Sequence, residues 1–189
     1  MLMTEPSDSG GRRAVAAAGK RPSDRYEDGG DGAPPSRKKP AHKPVVGMGS
    51  RAVIVFLTVC TKDRKAILAR SDIHDLLVDS WRQAIRWSVG RYVIMPDHIH
   101  LFCAPATYPT ESVYSWIKFW KTLASRHWPR VEEHPVWQPD GWDTQLRRGD
   151  RYSEKWEYVR KNPVRGNLVA TAEAWAFQGE LNLLAWHDV

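Results

Sequence analysis

The sequence predicts an α+β protein. Residues 52–61 (AVIVFLTVCT) are a β-branched and aromatic run with the length and apolar character of a central strand. Residues 73–85, and the segment after Thr110, instead place apolar side chains at three- and four-residue steps, which is typical of amphipathic helices. With further short strands between and after them, these segments predict the order strand, helix, strand, strand, helix, strand. That is the order of a split βαβ, ferredoxin-like sheet.

The first half of this pattern has clear boundaries. Ser71 is a candidate N-cap of the first helix, and Gly90 is expected to end it. Residues 92–95 predict the second strand, Pro96 and Asp97 a tight turn, and residues 98–104 the third strand.

The second half is predicted in the same way. The second helix has an apolar stripe that we expect in the core: Val113, Trp116, Ile117, Trp120, Leu123 and Ala124. Residues 136–138 predict a fourth strand, broken by Pro139 and Gly141. An added C-terminal helix is expected over residues 152–161, stopped by Pro163. Residues 175–186 predict a short strand and a helical turn.

Composition divides the chain into two parts. Residues 1–49 are rich in Gly, Pro, Ser and charged side chains and have no period, which predicts a disordered basic tail, whereas residues 50–189 predict one domain. The formal net charge of +6 favours a polyanionic partner without proving one. Cys60 and Cys103 lie in apolar runs and are expected to be reduced and buried. With neither a membrane span nor a signal peptide predicted, we expect a cytoplasmic protein.

His98 and His100 are the first candidates for chemistry. Residues two apart on a strand point to the same face, so both imidazoles are expected on one side of the sheet, with Ile99 on the other. Such a pair can close on one metal ion, although an isolated pair of this kind is more often structural. A third alternating histidine, which a histidine-triad nucleotide hydrolase needs, is excluded by Phe102.

Tyr158 and Asn162 are the second pair of candidates. They are four residues apart on the predicted C-terminal helix and therefore share a face. A tyrosine beside a metal ion can attack phosphorus, and an amide oxygen can complete a site of two histidines and one oxygen. Taken alone, the two residues are better explained as a partly buried aromatic and a helix-ending asparagine before Pro163.

Three segments in this order resemble the successive signatures of the REP-associated tyrosine transposases, relatives of the insertion-sequence transposases that move as single-stranded DNA. They are YVIMPDHIHLF, WQPDGWDTQLR and WEYVRKNPVRGNLV, and the resemblance runs from about residue 51 to residue 186. One departure stands in the middle segment, where many members have Phe and then Asp-His, and this chain has Trp142, Asp143 and Thr144.

The resemblance implies a ferredoxin-like HUH domain, named for two histidines flanking a bulky hydrophobic residue. His98 and His100 would bind Mg²⁺ or Mn²⁺, Asn162 would supply a third ligand, and Tyr158 would attack single-stranded or REP-like hairpin DNA to form a 5′-phosphotyrosine link. The protein would act as a monomer or homodimer in the cytoplasm, associated with the nucleoid. No ATP-binding GxxxxGK[ST] segment is present in the sequence, as expected for a reaction that conserves the phosphodiester bond energy.

Basic residues near these segments are candidates for phosphate contacts. On the outer face of the second helix they are Lys118, Lys121 and Arg126; around the tyrosine helix they are Arg147, Arg148, Arg160, Lys161 and Arg165. Trp142 and Trp156 are candidates for base stacking or for core packing. The alternative function is a domesticated protein that grips DNA hairpins without cutting them. An RNA-binding domain is disfavoured because the sequence lacks an RNP-type aromatic strand.

Overall fold

The computed structural model describes residues 53–107, 109–146 and 152–184. The predicted tail, and with it the predicted division at residue 50, lies outside these ranges, as do Arg147 and Arg148. Within the described residues, the predicted α+β class and the predicted order of the first six elements are confirmed.

Five antiparallel strands form one sheet in the order β4-β1-β3-β2-β5. The strands are β1 (Val55–Thr61), β2 (Trp87–Ile94), β3 (His98–Pro105), β4 (Trp137–Gln145) and β5 (Gln178–Glu180). The order of the first four strands is compatible with the split βαβ arrangement predicted above. β3 is paired on both sides and lies near the middle of the sheet, where register is strongly specified.

Among the described residues, four α-helices accompany the sheet: α1 (Ser71–Gln83), α2 (Val113–Arg126), α3 (Tyr152–Arg160) and α4 (Asn162–Arg165). α2 begins at a capping serine, because the hydroxyl of Ser112 accepts a hydrogen bond from the backbone amide of Ser115 at 3.1 Å. None of the helices in the described ranges is long and apolar enough to cross a membrane.

The two faces of the sheet are covered differently. On the face that we call the two-helix side, Leu57, Ile99 and Leu101 pack with the apolar stripes of α1 and α2. On the opposite face, which we call the α3 side, Phe56 and Phe102 pack with Tyr152 and Val159 of α3. Because side chains alternate along a strand, odd-numbered residues of β3 face the two-helix side, and even-numbered ones face α3.

Several predicted boundaries are wrong, each for a local reason. The N-cap of α1 is Arg70, so Ser71 is the first helical residue rather than its cap. The helix ends at Gln83, and Gly90 lies inside β2, where a β-carbon would come within 2.6 Å of Leu184. Ile85, predicted in the apolar stripe, lies beyond the helix and is 70% exposed.

The predicted breaks in the second half are also wrong. β4 runs through Pro139 and Gly141 because it is an edge strand, in which a missing amide hydrogen is tolerated, and its register against β1 shifts between Val59 and Thr61. The tyrosine helix ends at Arg160, within one residue of its predicted end, and the chain then forms a second helix, α4, with Pro163 in its first turn, where proline is favoured. The predicted late strand is β5.

Candidate active site

His98 and His100 lie on the α3 side, and their imidazoles converge. Their Nε2 atoms are 3.1 Å apart, and the ring planes are inclined by 83°. Two ligands at right angles around an octahedral ion, each about 2.1 Å from it, are separated by about 3.0 Å. The spacing of the two nitrogens is therefore that of a pair able to share one ion.

The Nδ1 atom of each imidazole lies within hydrogen-bond distance of a side-chain oxygen. Nδ1 of His98 is 2.6 Å from Oδ1 of Asp97, and Nδ1 of His100 is 2.9 Å from Oγ1 of Thr58. Burial of Asp97 opposes its ionisation, but the hydrogen bond with His98 and the charges of His98 and Arg64 outweigh it and lower the Asp97 pKa. An ionised carboxylate only accepts hydrogen bonds, so Nδ1 of His98 donates to Asp97, and Nε2 is the nitrogen directed at His100.

His100 is kept neutral by its surroundings. Burial lowers its pKa well below the usual range, and the charges of His98 and of three cations lower it further: Arg64, Arg165 and Lys155. With Thr58 at Nδ1, His100 can present a lone pair at Nε2. Two Nε2 atoms facing each other at 3.1 Å need a proton or a cation between them. The donor set therefore fits a divalent ion.

The described residues place no complete set of histidine, cysteine or carboxylate metal ligands at the histidine pair. Within the described ranges, no group of three or more histidine, cysteine, aspartate or glutamate side chains is arranged to hold a metal ion. The third ligand that the sequence predicts is a neutral oxygen, the amide of Asn162. Water would fill the remaining positions, as is usual for Mg²⁺ and Mn²⁺.

α3 lies over the same face as the two histidines. The Lys155 ammonium is 5.2 Å from the centre of the Phe56 ring, and that ring stacks on His100 at 5.4 Å between centroids. Lys155 and Tyr158 are three positions apart on α3, so their side chains are neighbours on the helix surface. Tyr158 therefore follows Lys155 by about one turn, about 4.5 Å along the helix.

Arg165 joins Tyr158 to Asn162. Its guanidinium carbon is 4.0 Å from the centre of the Tyr158 ring, and its Nη2 donates to the Tyr158 carbonyl at 2.8 Å. The same Nη2 donates to Oδ1 of Asn162. Tyr158 itself is 42% exposed, and Asn162 is partly buried at the start of α4. The predicted nucleophile and the predicted third ligand are thus neighbours, with the amide oxygen engaged by an arginine.

The basic candidates on α2 are not part of this site. α2 packs on the two-helix side, so Lys118 and Arg126, both exposed, are separated from the histidines by the sheet. Lys121 is wrongly placed by the sequence prediction, because it is 7% exposed and its ammonium donates to the Gln138 carbonyl at 2.9 Å. It anchors α2 to β4 instead of facing solvent.

The candidates near α3 differ among themselves. Arg160 is engaged by two carboxylates, Glu157 at 2.8 Å and Glu173 at 2.6 Å. Lys161 and Arg165 are exposed at the junction of α3 and α4. Trp156 is partly buried against Phe102, which favours its core-packing interpretation.

The WQ segment places Trp142 in line with the histidine pair on the α3 side. Trp142 pairs with Thr58, which in turn pairs with His100, so these three side chains form a row across the sheet. Neighbouring strands are about 4.8 Å apart, which places Trp142 about 10 Å from the histidine strand. Asp143 pairs with Leu57 and therefore faces the two-helix side, away from the histidines.

Sequence reasoning missed Arg64, Asp97, Thr58 and Lys155. The sequence pattern indicates Asp97 only as a turn residue, although an acidic residue directly before the histidine pair is a usable signal. The other three reach the site through contacts between distant parts of the chain, which local periodicity does not report.

The fold is similar to those of solved transposases. The structure of a REP-associated tyrosine transposase bound to a REP hairpin has a TM-score of 0.59 and 18% sequence identity, over 76% of this chain and 81% of that one. A candidate transposase from Deinococcus radiodurans R1 has a TM-score of 0.44 and 18% identity, over 61% of this chain and 95% of that one. No family model and no curated protein matches the sequence. The similarity to the REP-associated transposase establishes a shared fold.

Proposed function

We propose that this protein is a metal-dependent transposase that cuts and rejoins single-stranded DNA at REP-like hairpins through a 5′-phosphotyrosine intermediate. The observation that carries the proposal is the convergence of two imidazole Nε2 atoms, 3.1 Å apart, on the sheet face that α3 covers. The shared fold with a REP-associated tyrosine transposase supports it.

His98, His100 and the amide oxygen of Asn162 would hold Mg²⁺ or Mn²⁺. Bound there, the ion would polarise a phosphate oxygen and stabilise charge that develops at phosphorus. Asp97 and Thr58 prepare the pair by occupying both Nδ1 atoms. For Asn162 to join, Arg165 must release or share its oxygen.

Tyr158 would be the nucleophile. As its Oη forms a bond to phosphorus, the bond from phosphorus to the 3′ oxygen breaks; the phenol proton is lost to solvent, and the 3′ oxygen gains one. The products are a 5′-phosphotyrosine link and a free 3′-hydroxyl. Attack of a 3′-hydroxyl on that link reverses the exchange, restores the phenol and reseals a strand.

The α3 side also offers groups that suit a DNA strand. Lys155, Lys161 and Arg165 supply positive charge for phosphates, and Trp142 supplies an aromatic face for an unpaired base. Salt is expected to weaken DNA binding steeply if these cations contact phosphates.

An adduct assay tests the proposal. We expect Mn²⁺ and hairpin DNA with a single-stranded flank to give a covalent adduct that survives denaturant, and Tyr158→Phe to reduce it by at least about 1,000-fold, since no hydroxyl remains to attack phosphorus. Tyr114→Phe is the matched control, because Tyr114 is 41% exposed but lies on α2. An adduct that persists in Tyr158→Phe and disappears in Tyr152→Phe would assign the chemistry to the other tyrosine of α3.

One observation favours the second function, a protein that binds DNA hairpins without cutting them. Arg165 donates to the Asn162 oxygen, the atom that metal binding would need. If the protein only binds DNA, Tyr158→Phe should bind the hairpin as tightly as the wild type does. The wild-type protein should then form no covalent adduct. The same assay, read together with a binding titration, separates the two functions.

A further inference from the structure

Arg64 makes three contacts at the edge of the histidine pair. It ends a short 3₁₀ segment, Lys62–Arg64, that directly follows β1. Its Nε lies 2.7 Å from Oδ2 of Asp97 in an ion pair, and its Nη1 donates to Sγ of Cys60 at 2.8 Å. Its Nη2 lies 3.5 Å from Nδ1 of His98. Every nitrogen of the guanidinium is therefore directed at a group in or beside the site.

The backbone that presents Arg64 has a left-handed conformation. Asp63 and Arg64 have φ angles of 55° and 56°, a region that residues other than glycine rarely adopt. Residues held in such regions cluster at functional sites, where the surrounding structure fixes them. The segment is fixed here by Thr61, whose amide and hydroxyl both donate to the Asp97 carbonyl, at 2.9 and 3.0 Å.

We infer that Arg64 is a positioning residue, which holds the Asp97 carboxylate so that Asp97 keeps the proton of His98 on Nδ1 and the Nε2 lone pair directed at the ion. The inference deepens the proposed function and rests on it for the ion. One Asp97 oxygen forms an ion pair with Arg64, and the other contacts His98, so the carboxylate links the guanidinium to the imidazole. Partners of this kind orient ligating histidines in metal sites.

The sign of one measurement separates this role from simple electrostatics. The Arg64 guanidinium is a cation close to the proposed ion site. Electrostatic repulsion alone therefore predicts that removing Arg64 strengthens Mn²⁺ binding. Positioning predicts the opposite, because a free Asp97 carboxylate no longer orients His98. We expect Arg64→Gln to weaken Mn²⁺ binding by about tenfold, measured by titration calorimetry on the full chain.

A metal-free measurement tests the same role. Nitrogen-15 shifts of the imidazoles report which ring nitrogen carries the proton. We expect wild-type His98 to be protonated at Nδ1, and Arg64→Gln to give a mixture of tautomers. Arg82→Gln is the matched control, because it removes one arginine from an exposed ion pair with Asp79 on α1; it should change neither Mn²⁺ binding nor the tautomer.

Two further variants keep the test decisive if Arg64→Gln folds poorly. Arg64→Lys keeps the charge but cannot contact both Asp97 and Cys60 with one ammonium, so it should also weaken Mn²⁺ binding. Asp97→Asn should weaken it as well, and combining Asp97→Asn with an Arg64 variant should add little, since both act through one link.

Wild-type Mn²⁺ affinity together with an unchanged His98 tautomer in the Arg64 variants would overturn the inference. Tighter Mn²⁺ binding by Arg64→Gln would also overturn it, in favour of simple repulsion. If the wild type binds no Mn²⁺, the proposed function fails, but the tautomer of His98 still decides whether Arg64 positions it.

Discussion

The two faces of the sheet are built from different side chains. On the two-helix side, Trp116 and Trp120 are fully buried and pack edge-to-face at 6.3 Å between centroids. Trp120 also meets Trp81 at 6.0 Å and Trp137 at 5.6 Å, both near a right angle. The α3 side has a smaller apolar cluster, and next to it lie the two histidines and the half-exposed Tyr158.

The difference indicates that one face of the sheet provides most of the stability and the other carries the candidate site. Buried aromatic area contributes most of the stability available to a small domain, and here much of it lies on the face without the histidines. The α3 side can then keep partly exposed polar groups in a fixed arrangement, because the other face stabilises the strands that carry them.

Truncation of a tryptophan should give the largest effect on stability. We expect Trp120→Ala to lower the free energy of unfolding by about 3–5 kcal/mol, because it leaves a cavity among packed rings. Tyr158→Phe should change it by less than about 0.5 kcal/mol, since it removes one hydroxyl from a half-exposed ring. Urea denaturation measures both. A loss of stability in Tyr158→Phe as large as that in Trp120→Ala would contradict the division between the faces.

An ion pair at the border of the two-helix side should make the free energy of unfolding depend on pH in the acid range. Arg70 donates two hydrogen bonds to Glu133, at 2.6 and 2.8 Å, and Trp128 donates a third at 2.7 Å. The bonds from Arg70 lower the Glu133 pKa from 4.5 to about 2. A depressed carboxyl pKa stabilises the fold above pH about 4.5, and that contribution is lost as the pH falls toward 2.

We therefore expect Glu133→Gln to lower the free energy of unfolding by about 2 kcal/mol at pH 7. Near pH about 2 the variant and the wild type should be almost equally stable. Denaturation at a series of pH values measures it. Glu157→Gln is the control, because Glu157 pairs with Arg160 at the surface of α3. The same cost at pH 7 and at pH 2 would show that the ionised carboxylate is not the cause.

The smallest expected effect concerns DNA affinity. Lys155 lies on the α3 side near His100, whereas Lys118 lies on α2 behind the sheet. We expect Lys155→Gln to weaken binding of hairpin DNA by about threefold to tenfold near 0.1 M salt, and to reduce the salt slope by about one. Lys118→Gln should change the affinity by less than about twofold. Fluorescence anisotropy distinguishes them, and the reverse ranking would place the DNA on the two-helix side.

Much of the fold was predictable because its signals are local. Alternation alone placed His98 and His100 on one face and Ile99 on the other, and helical spacing placed Trp116 and Trp120 in the core. These predictions need only the period of a strand or a helix.

Other features depended on contacts that a local pattern does not contain. Lys121 has the spacing of an outer-face residue, but the edge of β4 approaches α2 there and accepts its hydrogen bond. Pro139 and Gly141 usually break a strand, yet an edge position accommodates them. Arg64 reaches a histidine 34 residues later, a contact that only the assembled sheet creates.

The position of β3 between two partners has a consequence for how the histidines are kept in place. His100 pairs with Thr58 on one flank and with Val93 on the other. Sliding this strand by a single residue would turn both imidazoles into the tryptophan layer and bring Ile99 out toward the tyrosine, and it would require both hydrogen-bonded ladders to break together. Pairing with β1 and with β2 thus fixes the register that places both histidines on one face. A register shift that separated them would require the sheet to come apart first.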